Sequence, residues 1–385
     1  MNRQWTSSTW GEIATLEYGR ALRSYGDGSG HCRVFGTNGP IGWHNASITP
    51  NETVIVGRKG AYRGVHLSLD PCWVIDTAFY LVPKTAIDMR WAYYSLKMQD
   101  INSMDSGSAI PSTSRADFYS LPVDVPPMGE QRAIARVLVS LDDKIELNRQ
   151  MNKTLEALAA TIFRAWFVDF EPVRAKAAGQ APAGMDAATA ALFPDRLVES
   201  ELGDIPEGWC IAPLGNVLQF NYGKALKQSA RRHGRVLVYG SAGQIGWHDE
   251  ALVPNRGIIV GRKGNPGVVT LAPQPFFPID TTFFVTPPFE TIGYYYAYYM
   301  LVGLNLQALN NDSAVPGLSR NIAYLSEALL PPKNLVDLFE QLCEPVYARI
   351  FSNTEQIRTL EALRDTLLPG LLSGELRVPE ELLSS

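Results

Sequence analysis

The chain has 385 residues, of which 46% are hydrophobic and 19% charged, so it can bury a large core, and its length predicts two or three domains. Its apolar stretches are shorter than the roughly 18 residues that a membrane span needs, and residues 1–30 lack a basic start followed by an apolar run, so we expect a cytoplasmic protein without membrane contact. The net charge of −5 does not exclude a nucleic-acid partner, because residues 126–208 and 331–385 each carry an excess of four acidic side chains, whereas residues 209–330 carry an excess of three basic ones.

The first part of the chain, residues 1–125, contains short runs rich in glycine, aromatic and β-branched residues, which predict strands and turns. Thr53–Val56 is one such run, and Gly57-Arg58-Lys59-Gly60 follows it directly. Residues 90–98 contain neither glycine nor proline and predict a helix. We therefore expect a mixed α/β domain.

After Pro127 the pattern becomes helical. Apolar residues and two asparagines alternate steps of four and three, which is the period of a coiled-coil seam. The seam is Ile134, Leu138, Leu141, Ile145, Asn148, Asn152, Leu155, Ala159, Ile162 and Trp166. A helix this long is more typical of a spacer than of a core element. Residues 126–172 are therefore predicted to be a helical region, and the Ala-Gly-Pro-rich residues 173–208 an exposed connector.

The second half of the chain repeats the first. Blocks separated by 204 residues match, among them Tyr18 to Leu22 with Tyr222 to Leu226, and Val56 to Gly60 with Val260 to Gly264; the later blocks match at an offset of 205. Residues 209–330 are thus a second mixed α/β domain. Residues 331–385 are a second helical region, with Phe339, Cys343, Val346, Ile350 and Asn353 beginning its seam. The repeat predicts an α+β fold in which two similar domains are joined by two long antiparallel coiled-coil helices with pseudo-twofold symmetry.

Basic residues in the repeated blocks are the candidates for DNA contact. Cations on a glycine-containing turn can neutralise successive phosphates, although a solvated hairpin turn is the alternative. Lys224 to Arg235 is a basic run without an acidic residue, and its counterpart in the first copy is less basic, so we expect the two copies to read different bases. Trp43 and Trp247 are expected to pack rather than to contact DNA. The candidates are Arg20, Arg58, Lys59, Gly60, Arg115, Lys224, Lys227, Arg231, Arg232, Arg262, Lys263, Gly264 and Arg320.

No catalytic, metal or cofactor motif was found. The chain lacks a Gly-x-x-x-x-Gly-Lys-Ser/Thr loop for a nucleotide. Its four cysteines and five histidines lie without metal-ligand spacing, so we predict no metal, no cofactor and no enzymatic activity.

Taken together, the pattern resembles the specificity subunits of type I restriction-modification systems over almost the whole chain. The resemblance is carried by Gly203-Asp204-Ile205-Pro206-Glu207-Gly208-Trp209, by Val125-Pro126-Pro127 with Glu130 to Ala135, and by Leu367 to Gly374. It implies that residues 1–125 and 209–330 are target-recognition domains, each reading one half of a bipartite site in double-stranded DNA. It also implies assembly with two methyltransferase subunits, and often with two restriction-translocase subunits, which carry the chemistry.

Two other interpretations remain open at this point. One is a stand-alone DNA-binding regulator whose two modules bind operators, and co-purification with a methyltransferase would discriminate it from a specificity subunit. The other is a carbohydrate-active enzyme with Tyr294-Tyr295-Tyr296 as an aromatic platform, but the repeated blocks contain no matched pair of acids apart from Asp76 and Asp280.

Overall fold

The computed structural model describes residues 5–26, 28–104, 111–286, 292–309 and 317–383. The chain forms two compact units: unit 1 consists of Met1–Asn148 and Glu355–Ser385, and unit 2 of Arg149–Thr354.

The second half of the chain begins with four elements of its own, and the order of the first half is then repeated from residue 210 onward. The first half contains β1 (Thr6–Thr9), α1 (Trp10–Ile13), β2 (Ala14–Tyr18), β3 (Cys32–Gly36), β4 (Gly39–His44), β5 (Thr53–Gly57), β6 (Val65–Ser68), β7 (Trp73–Val74), β8 (Ala78–Pro83), α2 (Met89–Lys97), α3 (Arg115–Ser120), β9 (Pro122–Val125) and α4 (Met128–Phe167). The second half contains α5 (Glu171–Ala177), α6 (Ala187–Ala190), β10 (Leu197–Val198), β11 (Ile205–Pro206), β12 (Cys210–Pro213), α7 (Leu214–Val217), β13 (Asn221–Tyr222), β14 (Val236–Gly240), β15 (Gly243–His248), β16 (Gly257–Gly261), β17 (Val269–Ala272), β18 (Phe276–Pro278), β19 (Thr282–Val285), α8 (Tyr294–Gly303), α9 (Arg320–Ala323), β20 (Glu327–Leu330) and α10 (Lys333–Ser373). Short 3₁₀ helices occupy Ile101–Ser103, Gln228–Ala230, Leu306–Leu309 and Glu380–Leu382.

The two units share one sheet topology. Unit 1 has a four-stranded sheet in the order β2-β8-β5-β6, and unit 2 has the matching order β13-β19-β16-β17. A three-stranded sheet accompanies each, β4-β3-β7 and β15-β14-β18, with one parallel pair in each. Even the register irregularity recurs, between Val34 and Phe35 and between Val238 and Tyr239. The predicted internal repeat is therefore a structural repeat.

Each unit has its own hydrophobic core. In unit 1, Trp10 and Trp91 stack with ring centroids 6.1 Å apart, and Leu138 of α4 and Leu371 of α10 belong to the same cluster. In unit 2, Phe163 of α4 contacts Tyr296 and Phe339, with ring centroids 5.4 and 5.8 Å away. Burial of apolar and aromatic area on this scale is the main source of stability.

The aromatic run of α8 is part of this second core. Tyr294, Tyr295 and Tyr296 are each 1% exposed, and the Glu340 carboxylate accepts hydrogen bonds from all three of their backbone amides at 2.8–2.9 Å. Buried rings cannot serve as an exposed platform for a sugar, so the carbohydrate interpretation loses its main support.

The long helices α4 and α10 pair within each unit. In unit 1, Arg364 Nη1 donates to Asp142 Oδ1 at 2.7 Å, and Asn148 Nδ2 donates to Gln356 Oε1 at 3.3 Å. Since the residue number falls in one helix as it rises in the other, the pairing is antiparallel. All ten predicted seam positions of α4 are buried or half-buried, so the predicted fold class, with two antiparallel helices and a repeated mixed α/β domain, is confirmed.

In unit 2 the seam contains a buried polar contact. Asn353 is fully buried, and its Nδ2 donates to Asn152 Oδ1 at 2.8 Å. The Asn353 Oδ1 atom has no hydrogen-bond partner among the described residues. A polar pair at this place in an apolar seam favours one register of the two helices, because a shift would separate Asn353 from Asn152 and break the bond between them.

The segment predicted to be an exposed connector is partly buried, so that prediction is wrong for Val173, Phe193, Ile205 and Pro206. Val173 is completely buried, and the ring of Phe193, 2% exposed, lies edge-on to Trp166 at 5.3 Å. Strands β10 and β11 pair within the segment as well. The abundance of alanine, glycine and proline hid the two apolar residues that attach it to unit 2.

Candidate nucleic-acid interface

In unit 1, two predicted arginines meet over one exposed tyrosine. The Arg58 guanidinium carbon lies 4.8 Å from the centroid of the Tyr18 ring, and that of Arg115 lies 5.1 Å from the same centroid. Tyr18 ends strand β2 and is 48% exposed. Both distances are within the range of cation–π attraction. We refer to Tyr18, Arg58 and Arg115 as the first arginine–tyrosine cluster.

Unit 2 contains the same arrangement. The guanidinium carbons of Arg262 and Arg320 lie 4.9 and 5.0 Å from the centroid of Tyr222. Tyr222 ends strand β13 and is 49% exposed. These three residues form the second arginine–tyrosine cluster, whose distances agree with those of the first within 0.1 Å.

Hydrogen bonds hold three of the four cluster arginines in place, namely Arg58, Arg115 and Arg262. Arg58 Nη1 donates to the backbone carbonyl of Asp76 at 2.9 Å, and Arg262 Nη1 donates to that of Asp280 at 3.2 Å. Arg115 Nη2 donates to the Tyr119 hydroxyl at 2.8 Å, and this contact raises the pKa of the Arg115 guanidinium above its ordinary value. The groups are therefore positioned by neutral partners, which leave their positive charge uncompensated.

The backbone explains why residues far apart in the sequence meet. The Thr113 amide donates to the Arg58 carbonyl at 2.8 Å, and the Leu318 amide donates to the Arg262 carbonyl at the same distance. These bonds attach each glycine-containing turn to the segment that leads into Arg115 or Arg320. Gly60 adopts a φ of 123°, a conformation that side chains disfavour, so glycine is required at this turn.

The electrostatics of the two clusters favour an anionic ligand. Within the described ranges, no acidic side chain forms an ion pair with any of the four cluster arginines, whereas Arg196, Arg232, Arg256 and Arg364 all have carboxylate partners. Lys263 is exposed and Lys59 half-buried, each next to its cluster arginine. A phosphate group is the anion that such a set of forked donors fits best.

The basic run of unit 2 differs from its sequence prediction. Arg232 Nε donates to Asp249 at 2.7 Å, and its Nη2 donates to Glu250 at 3.3 Å. Arg231 Nη1 donates to the Ile245 carbonyl at 2.8 Å. The run contains no acidic residue in sequence. Asp249 and Glu250, which directly follow β15, nevertheless lie beside it in the fold and neutralise Arg232. Lys224 and Lys227 remain exposed cations.

Arg20 and Lys224 occupy matching places two residues after the cluster tyrosines. Their backbone amides donate to the carbonyls of Val74 and Pro278, at 2.8 and 3.0 Å, and both side chains are exposed. Beside the second cluster, a groove of about 530 Å³ is lined by Tyr222, Lys224 and Phe284 among others. These two cations thus lie where the segments that differ between the copies begin.

Sequence reasoning missed the two cluster tyrosines as functional residues. The available signal was their recurrence in the repeated block that starts at Tyr18 and Tyr222. Trp247, expected to pack, is 38% exposed and therefore does not lie in the core. Its counterpart Trp43 is half-buried and lies 4.3 Å from the guanidinium carbon of Arg33.

The chain is similar in sequence and in fold to known specificity subunits. The family model described as the type I restriction modification DNA specificity domain matches residues 2–157. The type I restriction enzyme HindI specificity subunit of Haemophilus influenzae is 26% identical over an alignment of 420 positions, which covers 90% of this chain and 91% of that protein. The MjaIX specificity subunit of Methanocaldococcus jannaschii is 23% identical over 360 residues, covering 86% and 79%. The crystal structure of a type I restriction-modification system S subunit from M. genitalium superposes with a TM-score of 0.67 at 20% identity, over 96% of both chains, and shares the fold.

Proposed function

From the premise that this chain belongs to the family of type I restriction-modification specificity subunits, we propose that it reads a bipartite target in double-stranded DNA. Residues 1–125 and 209–330 are the two target-recognition domains, and each reads one half-site. Residues 126–172 and 331–385 are the helical regions between them, and residues 173–208 form the connector. The observation that carries the proposal is the pair of matching arginine–tyrosine clusters, which form no ion pair with an acidic side chain in the described part of the chain.

The cluster arginines and their turns are proposed to contact phosphates. Arg58, Lys59 and Arg115 in unit 1, and Arg262, Lys263 and Arg320 in unit 2, supply the cations, while Gly60 and Gly264 allow close approach of the backbone. Such contacts position a protein on DNA without reading its sequence. Both domains need them equally, which explains why both copies contain them.

Base reading is proposed for the segments that differ between the copies. Arg20 begins this segment in the first domain, and Lys224, Lys227 and Arg231 lie in it in the second. Arginine can donate two hydrogen bonds to a guanine edge in the major groove. Arg232 is the weakest candidate, because binding a base would require it to leave Asp249 and Glu250.

The chain itself is proposed to be non-catalytic. The curated relatives are named specificity subunits of restriction enzymes, so methylation, ATP hydrolysis and cleavage would belong to two methyltransferase subunits and two restriction-translocase subunits. The helical region of residues 331–385, with its excess of four acidic side chains, offers a docking surface of a charge opposite to that of the DNA-contacting turns.

Two experiments test this function. The first exchanges residues 209–330 for the matching part of another specificity subunit and maps the methylated motif in the host genome. One half of the motif should change and the other persist, and a change in both halves or in neither would refute modular reading.

The second experiment replaces Arg262 and Lys263 by alanine in the complex with methyltransferase subunits. Each lost phosphate contact should reduce the slope of log affinity against log salt by about 1. Arg196→Ala is the matched control, because it removes an exposed arginine that Glu207 already neutralises. An unchanged slope in the double variant would contradict the phosphate assignment.

A further inference from the structure

The two cluster tyrosines are exposed without an evident packing reason. About half of the surface of Tyr18 and Tyr222 faces solvent, so burial alone does not account for their place at the ends of β2 and β13. Each ring nevertheless has a fixed support. Tyr18 lies against the buried Phe79 with centroids 5.0 Å apart and an interplanar angle of 59°, and Tyr222 lies against Phe283 at 5.1 Å and 59°.

The backbone after each tyrosine is equally constrained. A Cβ atom at Gly19 would lie 2.0 Å from the Ile75 carbonyl oxygen, and one at Gly223 would lie 2.1 Å from that of Ile279. Only glycine fits at such a distance. A buried phenylalanine below and a confined glycine beside it therefore hold each exposed ring in one position.

We infer that Tyr18 and Tyr222 are positioning residues that hold two arginines ready to bind the sugar–phosphate backbone of DNA, the same way in both units. This inference rests on the proposed function. Free arginine side chains lose much rotamer freedom on binding, and a rigid ring that already orders them lowers this cost. Because both guanidinium carbons lie about 5 Å from one centroid, they are at most about 10 Å apart.

Two guanidinium groups within about 10 Å of each other can reach nearby phosphates of one DNA strand, which are spaced about 3.4 Å apart along the helix axis. The choice of backbone over bases follows from the repeat. The clusters are alike in both units, while the segments from Arg20 to Arg33 and from Lys224 to Arg235 differ. Two matching clusters indicate that both units bind the same chemical group, and the sugar–phosphate backbone is the part of the DNA that both half-sites have in common.

The test uses the full chain with its methyltransferase subunits and a mixed-sequence DNA duplex, since the inferred contact is independent of sequence. Tyr222→Leu keeps both cluster arginines but removes the aromatic ring. We expect the affinity to fall by roughly 5- to 150-fold, which is the cost of ordering two arginine side chains on binding when no ring has ordered them beforehand. The salt slope should stay unchanged, because no charge is lost. Tyr222→Phe keeps the ring and should bind within about twofold of the parent.

Arg262→Ala separates failure of this inference from failure of the proposed function. If Arg262→Ala lowers the salt slope while Tyr222→Leu binds like the parent, the ring has no positioning role and the inference is overturned. If Arg262→Ala also leaves affinity and slope unchanged, the phosphate assignment itself fails. If Tyr222→Leu lowers the slope as a loss of charge would, the ring acts by maintaining the local fold and the inference is again overturned. Hydrogen exchange of β13 and β19 in the DNA-free complex confirms that each variant is folded.

Discussion

The buried asparagine pair of unit 2 allows a quantitative test of the helix seam. Asn152→Ala leaves the Asn353 Nδ2 group without its 2.8 Å acceptor, in a side chain whose Oδ1 atom already lacks a partner among the described residues. An unpaired buried group costs about 1–3 kcal/mol. Asn353→Ala instead leaves Asn152 Oδ1 without its hydrogen-bond donor. Because Asn152 is only half-buried, water can replace that donor, and the variant should lose about 1 kcal/mol of stability.

The double variant removes both polar groups and leaves neither unpaired. The other contacts of Asn152 are long, at 3.4 Å to the Ile350 carbonyl and 3.3 Å to Thr354 Oγ1, and that carbonyl also accepts from Thr354 at 2.8 Å. The double variant should therefore be less destabilised than the sum of the single variants by about 1–2 kcal/mol. Hydrogen exchange measured on peptides of residues 149–167 gives the free energy of opening for all four proteins. A coupling below about 0.5 kcal/mol would refute the claim that this bond is a buried, mutually dependent pair.

Three further predictions follow from the packing. Phe193→Ala should destabilise unit 2 by about 3–5 kcal/mol, because a fully buried ring is lost; a denaturant midpoint equal to that of the parent would restore the exposed-connector interpretation. Glu340→Ala should lower the free energy of unfolding by about 3 kcal/mol or more, because three backbone amides of α8 lose their acceptor. Glu340→Gln should lower it less, and thermal unfolding measures both variants; equal losses would show that the acceptor oxygens do not matter. Inserting seven residues after both Asn152 and Asn353 adds about 10 Å of helix and should lengthen the unread spacer of the methylated motif by about three base pairs, whereas an active variant with an unchanged spacer would exclude helices that set the spacing.

The long helices and the repeat could be predicted because their signals are local or periodic. A seam with steps of four and three requires only the sequence of one helix, and the matching blocks alone establish that Arg58 and Arg262 are equivalent. The strand of residues 53–56 and the helix of residues 90–98 are predicted for the same reason. The observed strand, Thr53–Gly57, is one residue longer at its end, and the observed helix, Met89–Lys97, begins and ends one residue earlier than predicted.

The composition of the clusters could not be predicted because it depends on tertiary contacts. Tyr18, Arg58 and Arg115 lie tens of residues apart, and hydrogen bonds such as the one from Thr113 to Arg58 bring the last two together. The neutralisation of Arg232 has the same origin, since Asp249 reaches it across the β14–β15 hairpin. An acid-free stretch of sequence predicts a basic surface only when no neighbouring strand supplies a counter-charge.

The division of the chain between the units has a consequence for its synthesis on the ribosome. Unit 1 needs residues 355–385, and Leu368, Leu371 and Val378 from this segment lie in the same core as Trp10 and Leu138. The roughly 200 residues of unit 2 are translated in between, which takes about 10–40 s at bacterial-type rates of about 5–20 residues per second. The part of the protein that is made first is therefore completed last, and throughout that interval its nascent apolar surface has to be shielded by chaperones or by its own transient collapse.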